Sequence, residues 1–205
     1  MTVTEALQKR RAVKDYDPDF VIPAADIKDL FSKTLLTPSS FNLQHWRFAA
    51  VVDPAIKTRL CEAAWGQRHI REASLVVVLA GNLEAAEDAA GIWDHTPAEV
   101  KSKLVPQIEG FYRENARLKR DEAVRSASLA AMTLMLAATE MGYATCPMIG
   151  FDAEKVAEIV RMPGNWIPVM MITVGRAIRD PRPKRGQLPV EEVVFWNTFD
   201  GEPLQ

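Results

Sequence analysis

Residues 38–46 read Pro-Ser-Ser-Phe-Asn-Leu-Gln-His-Trp and follow an amphipathic helical pattern. Ser39, Ser40 and Asn42 offer two hydroxyls and an amide, which can donate hydrogen bonds to phosphate or sugar oxygens. The same side chains can instead satisfy the backbone of their own turn. The segment, called here the 38–46 loop, therefore predicts a ligand-binding site and leaves this structural alternative open.

Basic side chains near both ends of the chain could bind a phosphate. They are Arg10, Arg11 and Lys14 at the amino terminus, and Lys184 and Arg185 in the carboxyl-terminal segment. Because the sequence contains neither GxGxxG nor GxxxxGK, a nucleotide phosphate would have to be bound by side chains. Arginine suits this role because its planar guanidinium forms paired hydrogen bonds. The alternative is a solvated basic helix end together with a solubilising tail.

Other site chemistries have little support in the sequence. Cys61 and Cys146 are too far apart for a CxxC pair and too few for a disulfide framework, which favours a reducing, cytoplasmic environment. Cys146 is expected to be a small buried hydrophobe rather than a redox thiol. The three histidines have no ligand spacing to one another or to the cysteines, so the sequence predicts no metal site.

Composition also bears on the partners. The net charge is -2, with 25 basic and 27 acidic residues, which argues against nucleic-acid binding. The amino terminus lacks the pattern of a secretory signal. The longest nearly apolar stretch, residues 129–138, is about half as long as a membrane span. We therefore expect no membrane partner.

The order of predicted elements indicates a layered fold. Capping signals and apolar stripes predict helices that begin after Thr2, near Pro23 and at Asp53, and a long helix over residues 121–141. β-branched or apolar runs predict strands at residues 47–52, 75–80 and 167–174, and Pro147 is predicted to lie in a turn. Helices between the strands favour an α/β or α+β sandwich. Residues 84–120 are expected to form a helical excursion, and residues 180–205 an extended arm.

Three motifs, taken in order, resemble those of the nitroreductase family. The family's Arg-x-Ser-x-Lys-x-Phe/Tyr is matched by Arg10, Lys14 and Tyr16. Its Pro-Ser-Ser-x-Asn-x-Gln-Pro-Trp is matched by the 38–46 loop, and its Pro-x-x-Gly-Phe by residues 147–151. Three positions depart from the family pattern: Ala12 replaces serine, His45 replaces proline, and Ile149 replaces a frequent glutamate.

This resemblance implies a single nitroreductase-like FMN-binding domain over residues 1–205. The implied fold is an α+β sandwich with a central mixed sheet flanked by helices, assembled as an intertwined homodimer. The implied activity is a ping-pong transfer of hydride from NADH or NADPH, through flavin N5, to a nitroaromatic, quinone or similar small-molecule acceptor. Two alternatives stay open. One is another flavin chemistry on this fold, such as enone reduction, dehalogenation or flavin destruction, and the other is a non-enzymatic FMN-binding protein.

The resemblance also implies roles for individual residues. Arg10 would bind the ribityl-phosphate portion of FMN, and Lys14 would stabilise the negative charge that reduction places on N1 and O2. The 38–46 loop would reach the FMN bound mainly by the other subunit. No side chain is expected to act as nucleophile or general acid. The predicted cofactor-binding residues are Arg10, Arg11, Ala12, Lys14, Ser39, Ser40, Asn42, Gln67, Pro147, Met148, Ile149, Gly150, Lys184 and Arg185.

Overall fold

The computed structural model describes all 205 residues and places four strands among nine α-helices. The strands are β1 (Trp46–Val51), β2 (Leu75–Asn82), β3 (Ala144–Met148) and β4 (Trp166–Gly175). The helices are α1 (Val3–Lys9), α2 (Ala24–Thr34), α3 (Pro54–Ala63), α4 (His69–Glu72), α5 (Ala89–Ile92), α6 (Ala98–Tyr112), α7 (Ala116–Glu140), α8 (Ala153–Ile159) and α9 (Val190–Val193). Short 3₁₀ helices cover Ser40–Asn42 and Ala85–Asp88.

The four strands form one sheet in the order β1-β2-β4-β3, and each neighbouring pair is antiparallel. The predicted α+β class is confirmed, but the predicted mixed sheet is wrong. The only parallel pairing is an isolated bridge between Ala12 and Thr145 at the β3 edge. The mixed sheet was implied by the family resemblance, and the apolar strand patterns could not correct it, because they record burial and carry no information on the direction of a neighbouring strand.

Strand β2 is buried along its whole length, so its alternating side chains supply two cores. Leu75, Val77 and Leu79 pack in the cluster that contains residues of α2 and α7. Val76 and Val78 pack on the other face, in the cluster that contains residues of α3 and α8. The molecule therefore has helices on both faces of the sheet.

Several predicted helix ends are confirmed by their capping contacts. Thr2 and Glu5 form the capping box of α1, and the Asp53 side chain accepts hydrogen bonds from two backbone amides in the first turn of α3. Gly142, with φ of +87°, follows the end of α7. The start of α7 was predicted too late, because Asn115 caps the helix through the backbone amide of Leu118.

Pro147 lies within β3, opposite Ile172, and not in the predicted turn. This position suits proline because β3 is an edge strand, where a missing backbone N–H need not remove a ladder hydrogen bond. None of the nine α-helices combines the length and the hydrophobicity that a membrane span requires.

The 84–120 excursion contains α5, α6 and the start of α7 and has a small core of its own. Ala85, Ala89, Ile108 and Tyr112 are buried together with Leu43 of the 38–46 loop. The excursion therefore packs on this loop. The carboxyl-terminal arm is exposed and has no regular structure from residue 180 until α9.

Candidate functional site

A cavity of about 690 Å³ lies beside the β3 edge of the sheet. The amino-terminal segment is held against this edge by the backbone amide of Val13, which donates to the Thr145 carbonyl at 3.0 Å. The volume falls in the range of small-molecule and cofactor sites. The lining residues are Ala12, Val13, Lys14, Asp15, Arg68, His69, Arg179, Asp180, Pro181, Arg182 and Arg185.

The lining of this cavity is strongly basic. Five cationic and two acidic side chains leave three net positive charges. Asp15 pairs with both Arg68 and Arg179, the latter at 3.5 Å. Lys14, Arg182 and Arg185 form no salt bridge within the chain. Three uncompensated cations therefore face a space that suits a phosphate-bearing ligand.

His69 contributes a buried polar group to the same cavity. Its side chain is 3% exposed, and its Nε2 has no hydrogen-bond partner. Burial, reinforced by the charges of Lys14 and Arg68, lowers the pKa of His69 to about 4, so the imidazole is neutral at pH 7. Because an unpaired buried nitrogen is costly, the site fits a ligand with a polar ring edge that can pair with it. FMN has both this edge and a phosphate.

Arg10 and Arg11 line a neighbouring cavity of about 250 Å³, which shares only Val13 and Pro181 with the first. The Arg11 guanidinium donates to the Gln8 and Arg10 carbonyls at the end of α1. Lys184 donates to the Leu7 carbonyl at 2.7 Å. The structure thus places Arg11 and Lys184 on the end of α1, whereas Lys14 and Arg185 share the larger cavity.

The third motif forms the end of β3 and the following turn. Met148 is buried in the core, whereas Ile149 is 76% exposed. Gln67 does not line the larger cavity, and its Nε2 donates to the Gly150 carbonyl at 2.8 Å. A Cβ on Gly150 would lie 3.3 Å from the ring of Trp65, so glycine lets this ring approach the backbone. Gln67 therefore holds the turn in place.

The 38–46 loop lies at the opposite edge of the sheet, where it leads into β1. Ser39 Oγ accepts a hydrogen bond from the backbone amide of Gln44 at 2.9 Å, and Ser40 Oγ accepts one from the Tyr112 hydroxyl at 2.9 Å. Asn42 is exposed, and its side chain makes no hydrogen bond. The polar groups of the loop therefore retain hydrogen-bonding capacity for a ligand.

His45, which stands where the family has proline, points into the protein. It is 2% exposed, and burial lowers the pKa of its imidazole. Its Nδ1 lies 3.4 Å from the hydroxyl of Ser126, which in turn donates to buried Glu122 at 2.8 Å. His45 therefore belongs to the packing that supports the loop.

The two groups of predicted residues are well separated within one chain. The 38–46 loop precedes edge strand β1, and the Lys14 cavity flanks the other edge strand, β3. Three inter-strand spacings separate these edges, or roughly 14 Å. One chain therefore does not bring all the predicted residues to a single cavity.

Sequence reasoning missed some residues of the larger cavity. His69, Arg68 and Arg179 were not predicted, and a lone histidine gives no local sign that it will be buried with a free nitrogen. Arg182 lies in the basic run whose last two cations were predicted. No group of three or more His, Cys, Asp or Glu side chains is placed to hold a metal ion.

The fold and cavity define an α+β protein with a basic pocket suited to a phosphate-bearing ligand. The model of the nitroreductase family matches residues 7–176. Protein DrgA of Synechocystis sp. is 38% identical over 200 residues, which cover 95% of both chains. An NADH dehydrogenase of Thermus thermophilus is 33% identical over 199 residues, which cover 93% of this chain and 94% of the relative.

A solved structure shows the same similarity in three dimensions. The crystal structure of an Exiguobacterium sibiricum protein in complex with FMN has a TM-score of 0.90 and 28% sequence identity. The similarity covers 96% of this chain and 97% of that one. The chain therefore belongs to the nitroreductase family, and the family membership predicted from the three motifs is confirmed.

Proposed function

We propose that this protein is an FMN-dependent oxidoreductase that takes reducing equivalents from NADH or NADPH and delivers them to a nitroaromatic, quinone or similar acceptor. The observation that carries this proposal is the cavity in which Lys14, Arg182 and Arg185 are unpaired and the Nε2 atom of buried His69 lacks a partner. Family membership and the FMN complex of a relative support the same cofactor.

The residues of the chain would bind the cofactor and tune its charge. When bound, FMN would supply the redox chemistry, namely hydride transfer from a nicotinamide and electron transfer to an acceptor. Arg185 of the larger cavity and Arg10 of the neighbouring cavity would hold the phosphate where the two cavities meet at Val13 and Pro181, and the Lys14 ammonium would stabilise the negative charge of the reduced state. The turn around Gly150 would contact the cofactor. Ile149 and Trp65, both exposed beside this turn, would give the site an apolar rim.

We further propose that the active unit is a homodimer in which the 38–46 loop of one chain completes the cavity of the other. The separation of the two edges of the sheet supports this arrangement. The carboxyl-terminal arm adds a second argument, because it exposes large apolar side chains that a partner chain could cover. They are Leu188, Val190, Val193, Val194, Trp196 and Phe199.

Anaerobic stopped-flow spectroscopy tests the activity. We expect purified protein to bind FMN and its absorbance near the flavin maximum to be bleached by NADH or NADPH. A nitroaromatic, a quinone or an enone is then added to the reduced protein, and the acceptor that restores the oxidised spectrum fastest identifies the substrate class. A protein that binds no FMN, or whose FMN is reduced by neither nicotinamide, would refute the proposed function.

Mixed dimers test the exchange of loops between chains. One chain carries Ser39→Ala and Ser40→Ala, and the other carries Arg10→Ala and Arg185→Ala. If the loop acts on the partner's cavity, each mixed dimer has one intact site and one doubly defective site, so about half of the flavin-binding capacity returns. If the loop acts within its own chain, every site keeps one defect and no capacity returns.

A further inference from the structure

Three residues of the 38–46 loop have a backbone conformation that non-glycine residues rarely adopt. Phe41, Asn42 and Gln44 have φ values of 50°, 54° and 48°. Left-handed conformations at such residues persist only where the surrounding structure enforces them, and they concentrate at functional sites. The hydrogen bond from the Gln44 amide to Ser39 holds part of this shape, and contacts from outside the loop hold the rest.

Those contacts come from the 84–120 excursion. Trp93 Nε1 donates to the Phe41 carbonyl at 3.0 Å, and the Tyr112 hydroxyl donates to Ser40 Oγ at 2.9 Å. Leu43 is buried in the same apolar cluster as Tyr112. The excursion thus holds the loop by two hydrogen bonds and by apolar and aromatic packing on Leu43 and Phe41.

Tyr112 is itself well fixed. Its side chain is 2% exposed, and its ring packs edge-on against His45 and Phe111, with centroids 5.9 and 5.1 Å away. Burial raises the pKa of its hydroxyl, which therefore remains a protonated donor at neutral pH.

The direction of the hydrogen bond from Tyr112 decides what Ser40 can do. A serine hydroxyl has one proton to donate and two lone pairs to accept with. Because Tyr112 donates into a lone pair of Ser40, the proton of Ser40 stays available, and no group of the chain accepts it. Ser39 is in the same state, because the backbone amide of Gln44 donates into its Oγ.

We infer that Tyr112 is a positioning residue, which orients Ser40 as a hydrogen-bond donor toward the cofactor. This inference rests on the proposed function, since it takes Ser40 to contact FMN. It gives the excursion a role in cofactor binding through the loop on which it packs.

A double-mutant cycle on FMN affinity tests the inference. Dissociation constants are measured by the quenching of flavin fluorescence for the wild type, Tyr112→Phe, Ser40→Ala and the double variant. Tyr112→Phe deletes one oxygen and keeps the ring, so we expect the dissociation constant to rise about fivefold. Ser40→Ala should raise the dissociation constant about tenfold or more. The double variant should match Ser40→Ala, because without the Ser40 hydroxyl the Tyr112 hydroxyl has nothing to orient.

A control variant separates positioning from general destabilisation. Thr34→Val removes another buried hydroxyl, which donates to the Leu30 carbonyl at 2.7 Å inside α2. This variant should lose thermal stability and keep the wild-type affinity for FMN. Repeating the cycle with riboflavin, which lacks the phosphate, locates the accepting oxygen. If the effects of Tyr112→Phe and Ser40→Ala on affinity remain non-additive with riboflavin, the Ser40 proton is donated to a ribityl oxygen. If this non-additivity is lost with riboflavin, the proton is donated to the phosphate.

Three results would overturn the inference, and a fourth would refute the proposed function. If Tyr112→Phe weakens binding equally with and without the Ser40 hydroxyl, Tyr112 acts through packing alone and the inference is overturned. The same holds if Tyr112→Phe has no effect while Ser40→Ala does. If Ser40→Ala binds FMN like the wild type, Ser40 is not a contact and the inference falls, whereas nicotinamide-driven turnover would still support the activity. A wild type that binds no FMN refutes the proposed function itself.

Discussion

Lowering the pH should destabilise the protein through His69. The pKa of this imidazole is lowered to about 4 by burial and by the charges of Lys14 and Arg68, whereas an unfolded chain has a histidine pKa of about 6.5. Between these two values the unfolded chain binds a proton that the folded chain does not. The contribution of His69 to the free energy of unfolding is therefore fully present above about pH 6.5 and is lost as the pH drops toward 4.

The size of the effect follows from the two pKa values. Between pH 6.5 and pH 4, each pH unit lowers the free energy of unfolding by about 1.4 kcal/mol. Lowering the pH from 7 to 5 crosses about 1.5 units of this range, so the contribution of His69 to the free energy of unfolding should fall by about 2 kcal/mol. The assay is urea unfolding of flavin-free protein at both pH values, because bound FMN would add its own stabilisation. The wild type should lose about 2 kcal/mol more than His69→Gln, which cannot titrate in this range.

Comparing the two proteins isolates His69 from the other groups. His45, whose pKa burial also lowers, contributes to the pH dependence of both the wild type and the variant, so its effect cancels in the difference. His95→Gln, which removes an exposed imidazole, is the control for the loss of one histidine. Equal losses of stability in the wild type and His69→Gln would refute the argument, because His69 would then bind its proton alike in both states.

Further outcomes follow from the cavity and the core. Lys14→Met should lower the two-electron potential of bound FMN by roughly 20 to 65 mV in a redox titration, if the ammonium contributes about 1 to 3 kcal/mol. Arg10→Ala should instead weaken FMN binding and leave the potential of the bound cofactor nearly unchanged, whereas an unchanged potential in Lys14→Met would make Lys14 a surface cation only. Gly81→Ala should destabilise the fold by about 1 to 3 kcal/mol in urea, because the added Cβ would lie 2.9 Å from the Ala123 Cβ and 3.1 Å from its backbone. Gly110→Ala, where a Cβ meets nothing within 4 Å, is its control and should not destabilise the protein.

Features that depend on a few neighbouring residues could be predicted from the sequence. The capping box at Thr2 and the cap at Asp53 are examples, since each involves atoms within three residues of one another. The antiparallel pairing of the strands and the burial of His69 could not be predicted, because both depend on residues that the fold brings together from distant parts of the chain. Gln67 shows an intermediate case. It was predicted as a cofactor-binding residue, but its contact with the Gly150 carbonyl, 83 residues away, could not be predicted from the sequence.

Two titratable groups near Lys14, the His69 imidazole and the Cys146 thiol, are held in their neutral forms, and this bears on what they can contribute to a reaction. Burial and nearby cations lower the pKa of His69 to about 4. Burial also raises the pKa of the Cys146 thiol, although Lys14 and Arg10 oppose this shift. Neither group therefore gains or loses a proton between about pH 5 and pH 8. The charges of the cavity lining come mainly from lysine and arginine, so this lining supplies a net positive potential.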